Sequence, residues 1–185
     1  MRRLAFALLV SAMAGPAHAQ GADEHFDAGT IRAADLPKNA PRFESYSVEE
    51  IYTGASAVPD VRSHPRSRKF RTRILEGATR GPNFAGHYTI VRWGCGSGCA
   101  AHAIVDARSG AVYHPTAFES VDDLNVASEL ENPEGTLVKY RLNSKLLIVI
   151  GGINEDPRLR GISYFVWDKN RLSRIRFVHR PPTGP

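Results

Sequence analysis

The sequence is poor in cysteine, and this limits the chemistry that the chain can carry. Its 185 residues include only two cysteines. Two are too few for a disulfide framework or a four-cysteine zinc site, so any metal or redox site must combine this pair with histidines. The composition, 42% hydrophobic and 23% charged, is that of one globular domain and excludes a collagenous or wholly disordered chain. No cofactor motif is present, and we expect no cofactor.

Long hydrophobic runs are also missing, apart from one near the N-terminus. Two arginines precede an apolar stretch, residues 4–14, and small residues stand at Ala17 and Ala19, the positions that a signal peptidase reads. We therefore expect residues 1–19 to be a signal peptide that is cleaved after Ala19. Spanning a bilayer takes about 20 apolar residues, and no later run reaches that length. The sequence predicts a periplasmic or secreted protein without a membrane span in the mature chain.

Charge is distributed unevenly along the chain, although the formal net charge is only +5. Basic residues dominate 62–80 and 158–180, and the segment 119–134 carries acids and no basic residue. For an exported protein, nucleic acid is not an expected partner. The basic segments indicate an unknown acidic protein or an anionic envelope component as partner. The alternative is a pair of solvated faces in which basic and acidic segments are neighbours in the fold.

Periodicity predicts an α+β fold that is mainly β. Residues 20–42 contain few large apolar groups and predict a flexible segment or a strap laid over a single domain, residues 43–185. One short helix is expected over 63–77. Short turn-type joints favour antiparallel connections, hence a curved antiparallel sheet of six or seven strands with one or two short helices against it. The predicted strands are 87–93, 102–107, 111–114, 137–142, 145–150, 162–167 and 172–178.

Two glycine-rich motifs stand close together in the middle of the chain. Residues 81–88 read Gly-Pro-Asn-Phe-Ala-Gly-His-Tyr, and residues 93–99 read Trp-Gly-Cys-Gly-Ser-Gly-Cys. Together with a following Asp…Gly…Tyr hairpin, they resemble a group of secreted proteins of Gram-negative bacteria to which no activity is assigned. The resemblance covers most of the chain after residue 19. It implies export and one folded unit, and it implies no mechanism.

The two cysteines lie in the second of these motifs. Cys95 and Cys99 are four positions apart, and an oxidising compartment favours a local disulfide between them. Successive backbone N–H groups in such a loop can form an anion-binding nest, whereas the alternative is a tight β-turn that only links two strands. The candidate binding residues of this loop are Gly94, Gly96, Ser97 and Gly98.

A second interpretation keeps the thiols reduced. Cys95, Cys99 and His102 have the spacing Cys-x3-Cys-x2-His, and His87 could supply a fourth ligand for Cu(I) or zinc. A nucleophilic dyad of Cys95 and His87 is a weaker hypothesis, because no third orienting group accompanies it. These alternatives correspond to a metal- or thiol-handling protein and to an unrecognised envelope enzyme.

The hairpin motif suggests a role without catalysis. Ser109-Gly110-Ala111-Val112-Tyr113 is similar to the Ser-Gly-x-x-Tyr motif of periplasmic lysozyme inhibitors, and the resemblance implies a loop that inserts into the lysozyme cleft. The alternative is an ordinary hairpin with Gly110 in the turn. His87 and Tyr88 are further candidate binding residues at the hairpin's end. By elimination we expect a binding or inhibitor-type protein without catalytic activity, with the cysteine loop as its functional centre.

Overall fold

The structure is a computed structural model that describes residues 29–181. The expected signal peptide, residues 1–19, and the following residues 20–28 lie outside this range. The two described helices are α1 (Pro65–Lys69) and α2 (Arg71–Ala78). The strands are β1 (Tyr88–Gly96), β2 (Cys99–Asp106), β3 (Val112–Tyr113), β4 (Ser120–Asp122), β5 (Val138–Tyr140), β6 (Leu146–Ile153), β7 (Gly161–Asp168) and β8 (Arg171–His179).

The strands form one antiparallel sheet, which confirms the expected fold class. Their order is β1-β2-β4-β6-β7-β8, with β3 paired to β2 and β5 paired to β6. The sheet therefore has β1 at one edge and β8 at the other. One strand, β4, was not among those expected, because it has three residues and Val121 is its sole apolar side chain. Its pairing with β2 and β6 joins the two halves of the sheet.

Two short helices replace the single helix expected over 63–77. Pro65 occupies the first turn of α1, where its missing N–H costs nothing. Phe70 has φ −109° and ψ 24°, which interrupts the helical path between α1 and α2. Its ring packs against Trp93 of β1, with centroids 5.0 Å apart. That contact is tertiary, so no local pattern marks the break.

Helix α2 packs closely on the first two strands. Ile74 has no exposed surface, and Ala78 and Val91 are also buried. Gly77 permits the close approach, because a Cβ atom added there would lie 2.3 Å from Val91 Cγ1. Burial of an aliphatic side chain such as Ile74 contributes about 2 kcal/mol. Helix α2 and strand β1 are thereby held in close contact.

The N-terminal part of the described chain lies along the other half of the sheet. Ile31 is fully buried and forms a parallel bridge with Val126. Asp35, in a 3-10 turn (Ala33–Asp35), pairs with the Arg180 guanidinium. No helix within residues 29–181 has the length and apolar content needed to cross a membrane.

Candidate functional site

The cysteine loop, residues 94–99, forms the tip of the β1–β2 hairpin. Cys95 and Cys99 form the expected disulfide, with Cα atoms 5.2 Å apart. Gly96 pairs with Cys99, and the ladder is irregular between Gly94 and Gly96. The loop is thus a tight turn that links two strands.

The charge beside this loop is negative. Gly98 O accepts a hydrogen bond from the Asp123 N–H at 2.9 Å, and Asp122 is the strand partner of Cys99. A Cβ atom on Gly98 would lie only 2.7 Å from Asp123 Oδ1. A carboxylate at this distance disfavours an anion. The surroundings of Gly96, Ser97 and Gly98 therefore oppose the anion-binding nest and fit the tight-turn interpretation.

The residues of the metal hypothesis do not come together. The sulfur atoms of Cys95 and Cys99 are bonded to each other, so neither is a thiolate ligand. Cys99 and His102 are three positions apart on β2, which places their side chains on opposite faces of the sheet. His87 lies at the far end of the hairpin, where its carbonyl accepts from the Ala107 N–H at 2.8 Å. The geometry likewise separates Cys95 from His87 and removes the nucleophilic dyad.

The first glycine-rich motif folds back along the outer edge of β1. Asn83 Oδ1 accepts from the Ile90 N–H at 2.8 Å, and Asn83 Nδ2 donates to Ile90 O at 3.4 Å. Phe84 is fully buried and forms a backbone bridge with Tyr88. Gly86 has φ +83°, and a Cβ atom there would meet Glu50 O at 2.5 Å. The motif is thus a structural turn.

The hairpin motif and the end of the first motif meet around Asp106. Asp106 Oδ2 accepts from Ser109 Oγ at 2.7 Å, and His87 Nε2 lies 3.9 Å from Asp106 Oδ1. Burial lowers the pKa of His87, and the Asp106 carboxylate acts in the opposite direction. Tyr88 and Tyr113 pack edge-to-face, with centroids 6.4 Å apart. The structure therefore gathers four of the candidate residues, but Asp106 serves mainly to hold the turn.

The hairpin turn is covered by another part of the chain. The Asp60 N–H donates to Gly110 O at 2.7 Å, and the Ala57 N–H donates to Ala107 O at 2.8 Å. Tyr113 is half-buried in an aromatic cluster that includes Trp167. The turn thus exposes Ser109 and keeps Tyr113 packed. The lysozyme-inhibitor role stays a prediction that this geometry does not favour.

Two histidines, one buried and one half-buried, are closed to substrates. His102 is 2% exposed and stacks on Phe118, with centroids 4.6 Å apart. Neither of its ring nitrogens has a hydrogen-bond partner in the described part of the chain, and burial lowers its pKa to about 3. His114 Nε2 lies 2.8 Å from Ser67 Oγ. Because Ser67 has no exposed surface, this pair is not an accessible nucleophile and base.

A cleft of about 980 Å³ opens between α2, β1 and residues 132–142. We call it the arginine cleft, because arginines from four places in the chain line it. Two glutamates, Glu76 and Glu134, also line it, so positive charge is in excess. The four arginines are Arg73, Arg80, Arg92 and Arg141.

Two of these four guanidinium groups have no partner. Arg141 pairs with Glu44 at 2.7 Å, and Arg73 lies 3.8 Å from Glu76. Within residues 29–181, the guanidinium groups of Arg80 and Arg92 form no hydrogen bond or ion pair, and both side chains are exposed. A guanidinium group in this state offers its paired N–H donors to a carboxylate, phosphate or sulfate.

Tyr140 responds to the charges of the arginine cleft. Burial raises the pKa of Tyr140, and Glu134 adds to that rise. The positive charges of Arg80 and Arg92 lower the same pKa, which puts both arginines within electrostatic reach of the phenol. The phenol is protonated at neutral pH and can donate a hydrogen bond beside the arginines.

Comparison with known proteins gives no match to any family model, curated protein or solved structure.

Sequence reasoning did not find the arginine cleft. Arg73 and Arg80 belong to the basic segment 62–80, where nothing separates them from the other basic residues. Arg92 carries the one usable signal, since it is the charged residue of an otherwise uncharged run from Tyr88 to Trp93. A charge at such a position indicates a strand edge or a site.

Proposed function

We propose that this protein is a non-enzymatic binding protein whose arginine cleft holds an anionic partner. The observation that carries the proposal is the convergence of four arginines at one cleft, two of them without a partner among residues 29–181. A cleft of about 980 Å³ is larger than a single inorganic anion needs. Its size and its spread of charges suit a chain segment that carries several anionic groups.

The glutamates and neutral groups of the cleft support selectivity. Glu76 and Glu134 repel anionic groups that fall near them, so a uniformly charged surface fits poorly. Asn132 and Tyr140 also line the cleft and offer hydrogen bonds without charge. The fitting partner has anionic groups at intervals, with neutral positions between them.

We also propose that the partner is met in the periplasm or outside the cell. The expected signal peptide, residues 1–19, motivates this location, and a local disulfide is consistent with an oxidising compartment. N-terminal sequencing of protein from a periplasmic extract tests it. Protein that starts at Gln20 is expected, and protein that starts at Met1 in the cytoplasm would overturn it.

The binding experiment compares two positions of equal charge. Fluorescence anisotropy would measure binding of the purified protein to labelled polyglutamate and to labelled polygalacturonate at low salt. We expect Arg80→Glu to weaken binding roughly tenfold, because it places a like charge in the cleft. The matched control is Arg171→Glu, an identical charge change on the exposed start of β8, which should alter binding by less than about twofold.

Two outcomes would overturn the proposal. An equal loss in both variants would show that net charge alone attracts the polymers, without a site. Failure of the unmodified protein to bind either polymer at low salt would remove the function altogether.

A further inference from the structure

The outer edge of β1 is half occupied by the chain itself. The backbone groups of Phe84 and Tyr88 exchange two hydrogen bonds of 2.9 Å each. The side-chain amide of Asn83 then takes both outward backbone groups of Ile90. The chain thus follows this edge as an added strand would, and it leaves the edge at Ile90.

Beyond Ile90 the edge is open. Outward-facing groups alternate along an antiparallel strand, so the next ones belong to Arg92 and Gly94. The opposite strand agrees, because His102, the register partner of Arg92, donates its N–H to Glu119 O at 3.0 Å, away from β1. No residue in the described part of the chain takes the outward groups of Arg92 and Gly94. Both residues line the arginine cleft.

The charges around this open edge restrict what can pair with it. Arg92 projects from the edge strand itself, and Arg80 lines the same cleft. A charged residue on an edge strand discourages pairing with neutral or basic strands, including a second copy of β1. It favours a strand whose own side chains are acidic.

From this juxtaposition we infer that the arginine cleft binds an extended acidic peptide, which adds as a strand to the outer edge of β1 at Arg92 and Gly94. Main-chain hydrogen bonds supply affinity in this mode, and alternate side chains supply specificity. Such a strand alternates charged and neutral positions. Its acidic side chains can pair with the arginines of the cleft, and its neutral side chains are not repelled by the glutamates. An acidic polysaccharide could form ion pairs with the arginines, but it has no row of backbone amide groups to hydrogen-bond with the outer edge of β1. This inference depends on the proposed anion-binding function.

The probe is a short labelled peptide of alternating valine and glutamate. Its comparator is the same peptide with its central amides N-methylated, which retains the charge and removes the strand's donors. We expect the methylated peptide to bind roughly tenfold more weakly. With the parent peptide bound, exchange of the Arg92 and Gly94 amide protons should slow by about the same factor. Arg80→Glu should weaken binding of the parent peptide, and Arg171→Glu should not.

The outcomes separate this inference from the proposed function. Equal binding of the two peptides, or unchanged exchange at Arg92 and Gly94, would overturn strand addition and leave anion binding in place. Binding of polygalacturonate without binding of the peptide would overturn the choice of partner alone. Absence of binding to every anionic probe would remove the proposed function and this inference together.

Discussion

The two edges of the sheet are both rich in arginine, yet they use it differently. At the β1 edge, arginines line a cleft, and Arg80 and Arg92 have no partner in the described part of the chain. At the β8 edge, Arg176 Nη1 donates to Asn39 O at 2.8 Å, and the Arg174 guanidinium lies over the Phe177 ring at 4.8 Å. Arg176 therefore fastens a neighbouring part of the chain, and Arg174 covers an aromatic ring.

The difference between the edges lies in how their arginines are placed and paired. A single exposed charge is screened by solvent, whereas charges that converge on a cleft act on the same ligand. The segments 62–80 and 158–180 carry seven Lys or Arg residues each. Their number therefore does not reveal which edge can bind.

The largest effect on the β1 edge is expected from a substitution where α2 packs against β1. Gly77→Val would force side-chain atoms against Val91, which is buried and cannot move aside. We expect a loss of about 3 kcal/mol in the free energy of unfolding, measured by urea denaturation. Thr72→Val, a change on the exposed face of the same helix, should cost less than about 0.5 kcal/mol. Similar losses in the free energy of unfolding for the two variants would show that the close packing of α2 on β1 does not stabilise this edge of the sheet.

Acid provides a second test, because His102, which is 2% exposed, lies on β2 in the β1 half of the sheet. Burial lowers the pKa of His102 to about 3, and the charges of Arg92 and Arg66 act in the same direction. The unfolded chain takes up this proton near pH 6.5, well above the folded protein, so stability is lost as the pH falls. We expect His102 to account for a loss of about 2 kcal/mol between about pH 7 and about pH 5. His102→Leu should remove this part of the loss. If the free energy of unfolding of the variant, measured by urea denaturation, depends on pH as in the unmodified protein, the loss does not come from His102.

The disulfide tests whether the tip of the hairpin contributes to the β1 edge. Replacing both Cys95 and Cys99 by Ser should cost about 2 kcal/mol, since the closed loop is short. The bridge lies outside the arginine cleft, and polyanion binding should therefore persist. Circular dichroism and anisotropy would measure the two properties. A chain that no longer folds would show that the bridge is a central crosslink.

The smallest effect is expected at the covered hairpin turn. Ser109→Ala removes an exposed hydrogen bond to Asp106 and should cost about 0.5 kcal/mol, with polyanion binding unchanged. The same variant belongs in a lysozyme assay. Inhibition by the unmodified protein that disappears in Ser109→Ala would move the functional surface from the β1 edge to this turn.

Most of the sheet was predictable because its signals are local. Strands β6 and β7 are rich in aliphatic or aromatic residues, and the turn residues Lys169 and Asn170 separate β7 from β8. Strand β4 was not predictable, because Val121 is flanked by polar residues and the strand exists through pairing on both sides. The break at Phe70 likewise depends on Trp93, a residue in another element.

The sequence by itself determined the fold class, the antiparallel pairing and the local disulfide, since alternation, turn residues and short Cys spacing act between near neighbours. Tertiary structure alone decided which basic residues share a cleft and where an edge stays open. Arg80 and Arg92 line the same cleft, which lies where α2 packs on β1 at Gly77. The edge opens at Arg92 because the chain's own cover ends at Asn83. Both facts depend on contacts between elements, for which no local pattern of residues carries a signal.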